Sequence, residues 1–237
     1  MRLFNSFVSD ASSSFKIVCI ELLEAAYTKV LASGVVTREW DENAISEVLV
    51  SEINDDSGAI GKHITAIIEK RLLPKGLANA LSSVDDAYRI DINIGGFGWS
   101  KDEYRTTYFM EAKNLYCNGF IKNGNKSKTS PGKYAQRYIN TGIDNLLNGH
   151  YPVNTLLLGY VLEGTVHEAV KLLNKHLVKN SRRTEKIVLR KGMVFNHLKF
   201  ATSKHPAKVS IEHCFLSFGH RRRCNPHSKV ISVGQIA

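Results

Sequence analysis

Two short segments limit the folds open to this chain: "RIDINI" at Arg89–Ile94 and "YFMEAKNL" at Tyr108–Leu115. In the first, Ile90, Ile92 and Ile94 alternate with Arg89, Asp91 and Asn93. An extended strand therefore turns three isoleucines to one face and the polar set to the other. In the second, Phe109, Glu111 and Lys113 share a face opposite Tyr108, Met110 and Ala112. Period-two patterning of this kind builds a sheet. The sheet must also accommodate an Asp, a Glu and a Lys on strands otherwise written for core.

The flanking segments supply helices to cover that sheet. Phe15 to Ser33 carries Ile17, Ile20, Leu23, Tyr27 and Leu31 at helical spacing and ends at Gly34. Asp41 is a suitable N-cap for a helix over Glu42 to Asn54. A third helix is predicted over about Ile60 to Leu73, stopped by Pro74. "GGFGWSKDEYRTT" joins the two strands, and "CNGFIKNGNKSKTSPGK" reads as an exposed loop. Tyr134 to Asn148 is helical, closed by Gly149 and Pro152. Asn154 to Leu162 is nearly all apolar, as suits a strand covered on both faces. Thr165 and Glu168 form a capping box for a helix to about Lys179. Further strands follow, including Lys186 to Leu189 and Val209 to Phe218. The order predicts an α/β fold: a mixed central β-sheet flanked by helices.

The length of 237 residues suits one domain over 1–237 with a sizeable core. Its charge is unevenly placed. Residues 181–237 hold 12 Lys and Arg against 2 Asp and Glu, a surplus of +10 that equals the surplus of the whole chain. Such a segment attracts polyanions, nucleic acid or an anionic surface, or serves as a solvated face. The four cysteines are scattered with no CxxC pair, which fits a reducing, cytoplasmic setting rather than a disulfide framework. There is no apolar leader and no run long enough to span a bilayer, so no membrane partner is expected.

The three charged side chains are suited to one chemistry. Glu111 and Lys113 emerge on the same side of their strand, roughly 7 Å apart. If the strands pair, Asp91 joins them. Two carboxylates make a hard oxygen site of the kind Mg²⁺ prefers at about 2.0–2.1 Å, with Mn²⁺ as a substitute and the Ala112 carbonyl as a further oxygen. A metal there would activate water and shield a phosphate, while Lys113 orients the water or offsets transition-state charge. An exposed cross-strand salt bridge uses the same three letters.

"RIDINI…YFMEAKNL" resembles the motif of the PD-(D/E)xK, or restriction endonuclease-like, nuclease superfamily, with Asp91, Glu111 and Lys113 at its three charged positions. The resemblance covers roughly Asp41 to Glu163, and Ile90 stands where the family often has Pro. It implies an αβββαβ core within 41–180, preceded by N-terminal helices and followed by the basic C-terminal extension 181–237. It implies a Mg²⁺-dependent endonuclease acting on DNA in restriction, phage defence or repair. Restriction-type enzymes often pair subunits, so a homodimer is consistent with it. The family also places a Glu on the helix before the sheet; Glu42 is preferred over Glu47 and Glu52, with helix-dipole stabilisation as its other role. Gln136 and Tyr138 stand where some members carry a Gln and a Tyr on the helix after the motif.

Lys122, Lys126, Lys128 and Lys133 follow the motif strand and could each neutralise a backbone phosphate, as could Arg221, Arg222 and Arg223. Trp99 could stack on a base. His213, Cys214, His220, Cys224 and His227 lack zinc-site spacing and are read as scattered. A basic, catalytically inactive nucleic-acid-binding module is the other functional expectation. No Gly-rich phosphate loop, GxSxG or HExxH is present.

Overall fold

The computed structural model describes residues 2–72, 88–96, 106–121, 128–152, 154–191 and 195–219, with side chains described from residue 13 onward except at 207. The chain folds as α1 (Arg2–Ser33), α2 (Glu42–Asn54), α3 (Ser57–Gly61), β1 (Ile64–Leu72), β2 (Tyr88–Gly96), β3 (Thr106–Tyr116), α4 (Pro131–Arg137), a π-helical turn (Tyr138–Ile143), α5 (Asp144–Leu147), β4 (Leu156–Glu163), α6 (Val166–Lys179), β5 (Val188–Leu189), β6 (Lys199–Lys204) and β7 (Ser210–Ser217). The seven strands form one mixed sheet in the order β1-β2-β3-β4-β7-β6-β5. β3, β4 and β7 are parallel; the other pairings are antiparallel. The strands of the basic C-terminal part thus continue the sheet of the preceding part.

Helices cover both faces. α1 and α2 pack Leu23, Ile45 and Leu49 against Ile92, Met110 and Leu158. The helical segment 131–147 and α6 pack Ile139, Ile143 and Leu173 against Leu157, Val161 and Phe215. β4 is buried along seven of its eight positions, as its apolar sequence requires. The predicted local signals hold. Asp41 accepts from the Ala44 N–H and starts α2, Gly34 ends α1 at φ 65°, and Thr165 and Glu168 make the capping box of α6.

Three predicted elements differ. The helix expected over Ile60–Leu73 is instead the short α3 followed by strand β1. Its isoleucines fit helical spacing, but pairing with β2 and the β-branched run Ile64–Thr65 favour extension, and an edge strand need bury only Ile64 and Ala66. α1 begins at Arg2, not near Phe15. The helix read over Tyr134–Asn148 contains a π turn, whose extra residue rephases the segment so that Tyr138, Ile139, Gly142 and Ile143 all face the core. The loop after β3 is tied at its base by a bridge between Ile121 and Lys128.

One interruption in the sheet positions everything that follows. β2 and β3 pair from Gly96↔Thr106 to Ile92↔Met110 and then separate. Beyond Ile92, β2 continues to Tyr88 with β1 alone, and the β1–β2 ladder itself breaks once at Glu69, φ 47°, opposite Asp91. A cleft opens between β2 and β3 at the residues flagged by the sequence.

Candidate active site

Ala112 shows how the cleft is filled. Its N–H and C=O both point to the side that β2 has vacated. The N–H donates to Asp91 Oδ2 at 2.6 Å, and the carbonyl accepts from Lys113 Nζ at 2.9 Å. Side chains therefore satisfy the backbone groups that a continuing ladder would have paired. Lys113 Nζ also donates to Glu111 Oε1 and lies 3.9 Å from Asp91 Oδ2. Asp91, Glu111 and Lys113 converge on one spot, as period-two geometry predicts. Glu111 and Lys113 are buried, which distinguishes the group from an exposed surface salt bridge.

Burial makes the spot electrostatically expensive. The Glu111 carboxyl is pushed up to about 7, first by burial and then by the Asp91 charge, against the opposing pull of Lys113. Burial and the Glu42 charge also raise Asp91, offset in part by Lys113, the Ala112 N–H and, when Glu111 is protonated, a hydrogen bond from the Glu111 carboxyl. One ammonium thus serves a buried carboxylate, Glu111, and a half-buried one, Asp91. Glu111 Oε2 is buried without a hydrogen-bond partner among the described residues. That orphaned oxygen, the neighbouring Asp91 carboxylate and the shortage of positive charge fit a hard divalent cation. Among the described residues no group of three or more His, Cys, Asp or Glu is arranged to hold a metal on its own, so the two carboxylates would need water, phosphate or backbone oxygen to complete a shell. The Ala112 carbonyl, expected as such a ligand, is already engaged by Lys113.

The supporting residues come from distant parts of the chain. Glu42, on the first turn of α2, is buried; its Oε1 accepts from the Asn114 N–H at 3.0 Å. It also pairs with Arg137, whose Nη1 lies 3.1 and 3.2 Å from the two carboxylate oxygens. Of the three candidate helix glutamates, Glu42 is the one that reaches β3: Glu52 pairs with Lys29 and Glu47 is exposed. Glu42 lies against Asn114, one residue past Lys113, and contributes a charge that raises Asp91. Tyr151 donates to Glu111 Oε1 at 3.0 Å. Sequence reasoning missed Arg137, Asn114 and Tyr151. "NGHYPVN" around Tyr151 reads only as a turn, and nothing in it points to Glu111.

Other expected site residues lie elsewhere. Tyr138 is wholly buried, and its hydroxyl meets His213 Nδ1 at 2.9 Å. The π turn directs it into the core. Gln136 donates to Asn140 and accepts from Asn180 on the outer surface of α4. Lys128 and Lys133 are exposed. Trp99, Lys122, Lys126, Arg221, Arg222, Arg223, His220, Cys224 and His227 lie outside the described residues. His213 and Cys214 are buried in β7, His213 between Tyr138 and Ser203. Among the described residues no helix is long and apolar enough to cross a membrane.

No family model, curated protein or solved structure matches this chain.

Proposed function

We propose that the protein is a Mg²⁺-dependent nuclease of the restriction endonuclease-like type that hydrolyses DNA phosphodiester bonds. The observation that carries this reading is the convergence of Asp91, Glu111 and Lys113 where β2 and β3 part, with one Glu111 oxygen that has no hydrogen-bond partner among the described residues. Apart from the short α3, and with α4, the π turn and α5 counted as one helical segment, the order α2, β1, β2, β3, α4, β4 also follows the αβββαβ order of that core.

Asp91 and Glu111 would hold the ion, with Mn²⁺ able to replace Mg²⁺. Bound there, it would supply a more acidic water and offset the charge of a phosphate. The chain's own residues do the rest. Tyr151 fixes Glu111 Oε1, while Oε2 has no hydrogen-bond partner among the described residues. Lys113, held by Glu111 and the Ala112 carbonyl, places an ammonium where negative charge develops on the phosphorus oxygens. Arg137 is half-exposed and aligned by Glu42, and its guanidinium would contact a neighbouring phosphate of the strand.

An incubation series tests the reading: plasmid, linear duplex, single strand and RNA, each with Mg²⁺, Mn²⁺ or EDTA. Cleavage that requires a divalent ion and falls at least about a hundredfold in both Glu111→Ala and Lys113→Ala supports it. Salt-sensitive DNA retention with no product under either ion would favour the inactive binding module instead.

A further inference from the structure

Where β2 runs on beyond its pairing with β3, two rings form a small platform. Tyr88, the first residue of β2, stacks on His150 with ring centroids 4.0 Å apart and planes 17° from parallel. Tyr88 is 39% exposed. Further contacts hold the pair: Asn145 Oδ1 lies 3.3 Å from His150 Nδ1, and the Tyr88 hydroxyl lies 3.0 Å from His150 Nε2. Asn145 Nδ2 donates to the Tyr151 hydroxyl at 3.3 Å, and Tyr151 donates to Glu111. Tyr151 also sets its ring edge-on to Tyr88, with centroids 6.4 Å apart. A continuous chain of contacts therefore joins an exposed aromatic stack to the candidate metal-binding carboxylate.

We infer that the Tyr88–His150 pair is a stacking platform for an unpaired nucleobase next to the bond to be cut, and that the substrate is DNA with a single-stranded segment at that point. This rests on the nuclease reading of the Asp91–Glu111–Lys113 site. A planar ring pair presented to solvent gains most from a third planar ring, and every base offers one. Bases inside a duplex have both faces covered by their neighbours. A ring fixed at the rim of a cleft thus reaches only a terminal, splayed or single-stranded base. Stacking is indifferent to base identity, so the platform selects for strandedness rather than sequence.

Binding in EDTA separates this inference from the cleavage chemistry. A fluorescent single strand, the matching duplex, and a single strand with one abasic position stepped along it are titrated against wild type, Tyr88→Phe and Tyr88→Ala. The platform predicts tighter binding of the single strand than the duplex. Tyr88→Ala loses about tenfold on the single strand and little on the duplex, while Tyr88→Phe keeps most of the affinity. It also predicts one abasic position that weakens wild type but not Tyr88→Ala. Equal loss on both substrates in Tyr88→Ala, or no sensitive abasic position, overturns it and identifies Tyr88 as structural. Divalent-dependent cleavage with no Tyr88 effect removes the platform and keeps the nuclease. A Tyr88-dependent single-strand preference without cleavage removes the nuclease and keeps the platform as a binding site.

Discussion

The Ala112 N–H donates to Asp91 Oδ2 at 2.6 Å at the point where β2 and β3 part, so one carboxylate both replaces a missing sheet hydrogen bond and forms one side of the candidate metal site. These two duties can be separated. Asp91→Asn retains a side-chain oxygen for the Ala112 amide but gives up the charge. Asp91→Ala gives up both and leaves a buried N–H unpaired, a loss of about 1–3 kcal/mol. At this chain length each kcal/mol is worth about 2–4 °C of Tm. Thermal melts are expected to place Asn near wild type and Ala several degrees lower, with cleavage lost in both. Equal melting of the two variants would show that the amide bond is dispensable.

Glu111 gives a prediction whose sign depends on pH. Its folded carboxyl is raised to about 7 from an ordinary 4.5. The folded state therefore keeps a proton that the unfolded state releases. Its contribution is complete below about 4.5 and is lost as pH rises through 7. Without metal, wild type should lose stability across that window, and Glu111→Gln, which fixes the uncharged form, should melt higher at pH 8 than wild type. The stabilisation of wild type by Mg²⁺ should grow over the same interval, because the ion competes with that proton. Melting curves with and without Mg²⁺ between pH 5 and 8.5 check both statements. A Glu111→Gln protein that melts lower than wild type at pH 8 without metal would contradict the first.

How much of this was legible in the sequence varies with the range of the interaction. Period-two alternation located β2 and β3 and set Glu111 and Lys113 on one face, because that geometry is local. Capping chemistry located α2 and α6 for the same reason. The spacing of β1 fits a helix, and pairing with β2, some 25 residues on, adds to the local β-branched pair Ile64–Thr65 in deciding otherwise. Tyr151 meets Glu111 across 40 positions and Arg137 meets Glu42 across 95, and no local pattern encodes either contact. Tyr138 matched a family position in the sequence, but the π turn directs it inward.

That inward placement can be tested. The Tyr138 hydroxyl is the end of a buried chain: His213 Nδ1 at 2.9 Å, then His213 Nε2 to Ser203 Oγ at 2.8 Å, Ser203 to His205 at 2.6 Å and His205 to Glu185 at 2.5 Å. Tyr138→Phe strands the His213 nitrogen and should cost about 1–2 kcal/mol, seen as a drop in Tm. Cleavage should stay within about twofold of wild type. A large fall in kcat with unchanged Tm would return Tyr138 to the active site.

The same chain sets an acid limit. His213 is held down to about 3 by burial and by its neighbour His205, against an ordinary 6.5. It folds neutral, whereas the unfolded state takes up a proton below 6.5. Its contribution is therefore complete above 6.5 and declines as pH falls toward 3. His213→Gln, which does not titrate, should flatten the dependence of stability on pH between 6.5 and 4 while lowering stability at pH 7. Urea unfolding at several pH values measures the slope. An unchanged slope in the variant would assign the acid sensitivity to other groups.

Arg137 and Glu42 form an asymmetric pair, and the asymmetry predicts opposite kinds of loss. The Arg137 side chain is half in solvent, whereas Glu42 is nearly buried and also accepts from the Asn114 N–H. An ion pair with one exposed partner is worth little to the fold, so Arg137→Ala should leave Tm within a degree or two. If the guanidinium contacts a phosphate, the variant should bind DNA more weakly and reduce the salt dependence of binding by about one counterion. Glu42→Ala strands a buried amide beside Lys113 and releases Arg137, so it should lower Tm and slow cleavage together. Glu42→Gln keeps an oxygen for Asn114 and should recover the Tm without the DNA affinity, since a neutral amide no longer fixes Arg137. Salt titrations of binding beside thermal melts on the three variants separate these effects. An Arg137→Ala protein with wild-type affinity and salt slope would show that the pair serves the fold alone.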